Sequence, residues 1–237
     1  MQIFDDLIKK VYSLINQDKI TYTFSDKKVV DEDANFSFLL NSDVAFDLGG
    51  GDRHSVGFFA ATTSRELVEN DEIIVIGKEL NEINQSTNFA RITIVALEKD
   101  LEDDDESYDA LTKIDRVKYK FFPKDVMIRV SPLLEKEEMR IGKKALENGL
   151  TLEKLGNTLI NNYHKQKFVR AVKLIYINTQ DFDYDTLSNY SKLSIKILDT
   201  MDHIYKNMLM DCHSCKLKTV CDEVEGMKEL NFKQVNK

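Results

Sequence analysis

Cysteine, proline, glycine and long apolar runs are all scarce in this 237-residue chain. The three cysteines fall between positions 212 and 221. That count and clustering exclude a secreted disulfide scaffold, which would have more cysteines spread along its length. Two prolines, Pro123 and Pro132, and nine glycines leave no room for a long flexible linker. No stretch approaches the roughly 20 apolar residues of a membrane-spanning helix, so no membrane association is expected. Basic residues are outnumbered, 33 to 41, giving a formal net charge of −8. A phosphate backbone selects a basic surface, so nucleic acid is not an expected partner. The opening Met1-Gln2-Ile3-Phe4-Asp5-Asp6 lacks the basic-then-apolar order of a signal peptide. A cytoplasmic location is the expectation. Dinucleotide-binding and P-loop glycine signatures are absent, as are the Gly-x-Ser-x-Gly elbow and the His-Glu-x-x-His helix.

Hydrophobic residues make up 42% and charged residues 31%, a mix that suits a folded protein. Ile3, Phe4, Leu7, Ile8, Val11, Leu14 and Ile15 recur at helical spacing. Lys19 to Phe24 alternates in the manner of a strand. Val44 to Leu48 reads as a strand entering the turn Gly49-Gly50-Gly51, with Gly57 to Ala61 as the next strand. Three glycines in a row suit a tight hairpin or bulge, or a close approach of backbone to a ligand. On the second alternative, Gly49, Gly50, Gly51 and Arg53 are candidate cofactor-binding residues. Asp52, Arg53 and His54 form either an anion-binding trio or an exposed polar turn.

Glu72 to Ile76, Arg91 to Leu97, Val117 to Phe122, Val126 to Val130 and Val172 to Ile177 read as strands. The acidic segment Glu98 to Asp109 reads as a solvated loop and lacks an EF-hand pattern. Glu135 to Asn148 is rich in helix formers and stops at Gly149, predicting a helix. Thr151 caps the next helix, whose apolar stripe is Leu152, Leu155, Leu159, Ile160 and Tyr163. Leu187 to Met210 is the longest helical pattern. His164 and His203 sit in helical patterns as surface or packing residues. The expected fold is a mixed α/β (α+β) chain, with mixed sheets, flanking helices and a long helix leading to the cysteines. Two lobes, 1–130 and 131–237, or one compact domain would accommodate this order.

The long helix delivers the chain to Cys212, Cys215 and Cys221, spaced C-x2-C-x5-C. The C-x2-C step turns two thiolates toward one centre, a bite used for zinc and for iron–sulfur clusters. The third cysteine is near enough to join them. Lys216 and Lys218 lower the cost of the thiolate charge. These three cysteines are the candidate metal ligands, for an iron–sulfur cluster or alternatively zinc. The fourth ligand is open: His213, or a residue of a second chain. A redox pair and free thiols remain the other readings.

The second half resembles the acetyl-CoA synthase family, the beta subunit of the carbon monoxide dehydrogenase/acetyl-CoA synthase complex. The likeness runs from Met139-Arg140-Ile141-Gly142-Lys143-Lys144-Ala145-Leu146-Glu147-Asn148-Gly149 through Thr151–Gly156, Leu159 and Tyr163 into Val172–Thr179. Upstream, Phe46-Asp47-Leu48-Gly49-Gly50 is similar to the family's acidic-Leu-Gly-Gly turn, and Gly77–Ile83 to its glycine-led acidic segment. The resemblance spans about residues 44 to 221. It implies a beta-subunit-like protein of anaerobic one-carbon metabolism, whose C-x-x-C would begin a nickel–iron–sulfur site. The family's site needs further cysteines, including a Cys-Gly-Cys, and its coenzyme A domain is arginine-rich with a tryptophan. This sequence has no Cys-Gly-Cys, seven scattered arginines and no tryptophan. A complete nickel site is therefore not expected, and no catalytic residue is assigned. The resemblance implies a non-catalytic iron–sulfur or metal-binding module that docks a corrinoid carrier or redox protein, and a homo-oligomer is a separate open reading. The alternatives are a subunit of an acyl- or methyl-transfer enzyme completed by a partner chain, and a zinc-stapled structural protein.

Overall fold

A computed structural model describes residues 2–33, 39–98, 104–131 and 136–205. The chain opens with α1 (Gln2–Leu14), whose Phe4, Leu7, Ile8 and Val11 are buried. Removing such side chains from water contributes about 1.5–3 kcal/mol apiece. The strands are β1 (Ile20–Thr23), β2 (Val44–Leu48), β3 (Ser55–Thr62), β4 (Glu72–Ile76), β5 (Phe89–Leu97), β6 (Val126–Ser131), β7 (Lys136–Gly142) and β8 (Val169–Ile177). The remaining helices are α2 (Asp104–Asp115), α3 (Lys143–Glu147), α4 (Leu152–His164) and α5 (Tyr184–Tyr205).

Two sheets result, and the mixed α/β expectation holds. The larger has the order β1-β4-β8-β5-β3. Its β4/β8 and β3/β5 pairs are parallel, while β1/β4 and β5/β8 are antiparallel. Its central strands β5 and β8 read as near-continuous apolar runs because both their faces are covered. The smaller sheet, β2-β7-β6, is antiparallel throughout. One apolar core joins residues from both sheets and from α1, α4 and α5.

Helix α4 lies against β4 and β8. Its start is doubly secured. Thr151 Oγ1 accepts from the Lys154 amide at 3.1 Å, and the Glu79 carboxylate accepts from the Leu152 amide at 2.8 Å. The Gly77–Ile83 segment thus supplies an anion to the positive end of a distant helix. Helix α5 packs on β3, the edge of the larger sheet. Ser191 Oγ donates to the Gly57 carbonyl at 2.5 Å and Ser194 Oγ donates to the Phe59 carbonyl. Two residues apart on a strand, these carbonyls point outward from the same edge, where a bare row would invite another strand.

Four sequence expectations are corrected. Glu135 to Asn148 is not one helix: Lys136–Gly142 is a strand and only Lys143–Glu147 is helical. Pairing with β2 on one side and β6 on the other outweighs the helix propensity of this segment. Val117 to Phe122 is not a strand: Arg116–Lys120 forms a 3-10 turn continuing α2. The acidic stretch read as a loop enters α2 at Asp104. The glycine turn is not a hairpin, because β2 and β3 belong to different sheets and the turn passes the chain between them.

Candidate functional site

Where the two sheets meet, one row of residues crosses the larger one. Gly57 on β3 is in register with Arg91 on β5, and Arg91 with Tyr176 on β8. Paired residues share a face, so a space, a cation and a phenol stand side by side. Glu137 of β7 enters that space from the smaller sheet. A Cβ on Gly57 would lie 3.1 Å from both the Glu137 Cβ and its Oε2. Arg91 Nη2 meets Glu137 Oε2 at 2.9 Å, with side chains only 2% and 3% exposed. Ser55 fixes the backbone beside the carboxylate. Its hydroxyl donates to the Glu137 carbonyl at 2.7 Å and accepts from the Glu137 amide at 3.0 Å.

The surroundings of this pair are polar and buried. Tyr163 and Tyr176 are fully buried, and neither hydroxyl has a partner among the described residues. Burial pushes both phenols well above their ordinary range. Burial likewise raises the Glu137 carboxyl, and the charges of Arg91 and Lys118 oppose that rise. Burial also disfavours charge on Arg91, but Glu137 together with Tyr176 and Tyr163 outweighs it, so the guanidinium stays a cation. Lys118 stands nearby, 5.3 Å from the Phe59 ring centre and 2.6 Å from Asp115. Perturbed groups concentrated in one place are a recognised sign of a functional site, although ion-pair networks perturb pKa values too.

Sequence reasoning missed this centre. Arg91 carried a signal, a lone charge at the head of the apolar run Arg91 to Leu97. Glu137 carried none, because it lay in a segment read as helical and between other charged residues.

The glycine turn contacts the same centre from outside. Gly49 holds φ at +76°, and a Cβ there would meet the Ser55 Cβ at 2.9 Å and the Glu137 carbonyl at 3.3 Å. Its amide donates to the Thr87 carbonyl at 2.8 Å. Gly50 and Gly51 border a cleft of about 60 Å³ with Arg129, Glu138 and Arg140. Arg140 is engaged by Asp47 at 2.9 Å, and Arg129 and Glu138 stand 3.9 Å apart. Arg53 points elsewhere, its Nε donating to the Ser86 carbonyl at 2.7 Å. His54 stacks on Tyr184, ring centres 5.3 Å apart, so Asp52, Arg53 and His54 are not drawn into one anion pocket. His164 does more than pack: its Nε2 meets both Asp71 carboxylate oxygens, at 3.0 and 2.9 Å.

Cys212, Cys215 and Cys221 lie outside the described residues. Among the described residues no group of three or more His, Cys, Asp or Glu side chains is placed to hold a metal ion. Nor is any described helix long and apolar enough to cross a membrane.

A mixed α/β scaffold with a charged seam between two sheets defines the class. The model of the CO dehydrogenase/acetyl-CoA synthase complex beta-subunit family matches residues 38–182, more than half of the chain, and the chain belongs to that family. The matched region starts just before β2 and ends just before α5, so it contains the glycine turn, Arg91, Glu137, Tyr163 and Tyr176. The cysteine run falls beyond it. No curated protein matches the sequence.

Proposed function

We propose that this chain is a beta-subunit-like module of the carbon monoxide dehydrogenase/acetyl-CoA synthase type. It holds a metal group through Cys212, Cys215 and Cys221 and docks a corrinoid or redox protein in the cytoplasm of an anaerobe. It does not carry out carbonyl–methyl condensation alone. The observation that carries the reading is the family match over the scaffold up to Phe182, followed directly by α5, which leads toward the cysteines. The donor set fits the group: three thiolates at C-x2-C-x5-C are soft ligands suited to an iron–sulfur cluster and, second, to zinc. When bound, a cluster would supply one-electron chemistry. What this chain's described residues contribute is support, since the Ser191 and Ser194 bonds seat the helix that precedes the ligands.

The test is metal and acid-labile sulfide content of the full chain purified without oxygen, alongside Cys212→Ser and Cys215→Ser. Near-equal iron and sulfide, lost in both variants, is the expected result. Stoichiometric zinc without sulfide would select the zinc-stapled structural protein instead. Wild-type protein that is folded but holds neither metal overturns the reading. Acetyl-CoA formation from carbon monoxide by the isolated chain would overturn its non-catalytic part.

A further inference from the structure

The Arg91–Glu137 pair uses only half of each group. Arg91 Nη1 and Glu137 Oε1 are buried and have no hydrogen-bond partner among the described residues. Both side chains line a cavity of about 30 Å³ between β3, β5, β7 and α5, to which Thr93, Lys118, Ser191 and Ser194 also contribute. A buried donor or acceptor left without a partner costs about 1–3 kcal/mol, more if charged. Two such atoms on residues that line one cavity call for an occupant that both donates and accepts.

Size and charge narrow the choice. The volume suffices for about two water molecules, each needing some 10–15 Å³ on this measure. The charges at the site are already balanced: Arg91 against Glu137, and Lys118 against Asp115. A bare ion would unbalance them, whereas a neutral dipolar molecule would not. An apolar occupant would leave both atoms unpaired. We propose that this cavity is an internal hydration site, in which water accepts from Arg91 Nη1 and donates to Glu137 Oε1. Ser191 and Ser194 of α5 line the same cavity, so the water would sit between the inter-sheet ion pair and α5. The site is independent of the cysteine reading, since none of its residues belongs to the cysteine run.

Diffraction from crystals of the full chain, at a resolution that shows ordered water, tests this directly. The expected result is a water oxygen within hydrogen-bonding distance of both Arg91 Nη1 and Glu137 Oε1. A cavity without density overturns the proposal. So does a side chain from elsewhere in the chain filling it, or a direct bond between Nη1 and Oε1. Xenon pressurisation of the same crystals supplies a second measurement, because dry apolar cavities take up xenon. Exclusion of xenon here is expected, and xenon bound beside Arg91 overturns the proposal.

Discussion

Arg91 and Glu137 face each other across the seam between the two sheets, Nη2 to Oε2 at 2.9 Å, with both side chains almost wholly out of water. Each comes from a different sheet, so the pair is a tie between them rather than a feature of either. Removing one partner leaves the other as an unpaired buried charge. Arg91→Met is therefore expected to destabilise the fold by about 3–5 kcal/mol. Arg91→Met combined with Glu137→Leu removes both charges and should recover most of that loss. Urea denaturation of the two variants and the wild type checks the pair. With Glu137→Leu measured alone as well, a double variant whose loss equals the sum of the two single losses would show that the contact has no coupling role.

The hydroxyls of Ser191 and Ser194 satisfy carbonyls on the β3 edge. Ser191→Ala and Ser194→Ala should each cost about 1 kcal/mol. Together they expose a strand edge, so the double variant should also self-associate more readily. Hydrogen exchange across α5 and light scattering on the double variant read the two effects separately. Unchanged exchange in α5 would contradict the proposed seating.

His164 provides a pH dependence. Its hydrogen bond to Asp71 is the main cause raising its pKa above the ordinary 6.5, helped by the Asp71 charge and a backbone bond at Val169, and opposed by burial. The folded value exceeds the unfolded one, so folding favours the protonated ring. The stabilisation is complete below 6.5 and is lost as pH rises through the folded value. The urea midpoint of the wild type should thus fall as pH is raised from about 6 to about 8. Asp71→Asn keeps an acceptor for the Val172 amide, which now bonds Asp71 Oδ1 at 2.8 Å, and should flatten this slope. A variant with the wild-type slope would assign the dependence to other groups.

Gly49 and Gly51 both adopt positive φ, +76° and +69°, but differ in surroundings. Around Gly51 the nearest atom to an added Cβ is 4.0 Å away, on the Arg53 side chain. Gly51→Ala should therefore show backbone strain alone, about 1–2 kcal/mol. Gly49→Ala adds the collision with Ser55 and should cost clearly more. Thermal denaturation ranks the two, and a reversed order would refute the packing account.

Much of the scaffold was legible because it is written in local patterns. The Arg91 to Leu97 and Val172 to Ile177 runs became the central strands β5 and β8, each extended at its start. The α1 and α4 stripes and the Thr151 cap also follow the sequence reading. The segment 135–148 was not legible, since its helix formers hid an alternation. Glu137, Met139 and Ile141 are buried, and Lys136, Glu138 and Arg140 are less so. With a glutamate at an inward position, the period of two does not register as a hydrophobic pattern. The glycine turn was found, but its role was not, because the atoms that forbid a side chain at Gly49 belong to Ser55 and Glu137.

The sequence by itself determined the central apolar strands β5 and β8, where α4 begins, and that the cysteines form one short run. Those properties depend on neighbours within a turn or two of chain. Only the tertiary structure decided that β2 and β3 part into different sheets, that α5 covers the β3 edge, and that Arg91 finds Glu137. A charge pointing inward looks the same along the chain as one pointing outward. The difference arises when a distant strand brings the opposite charge and both leave water together.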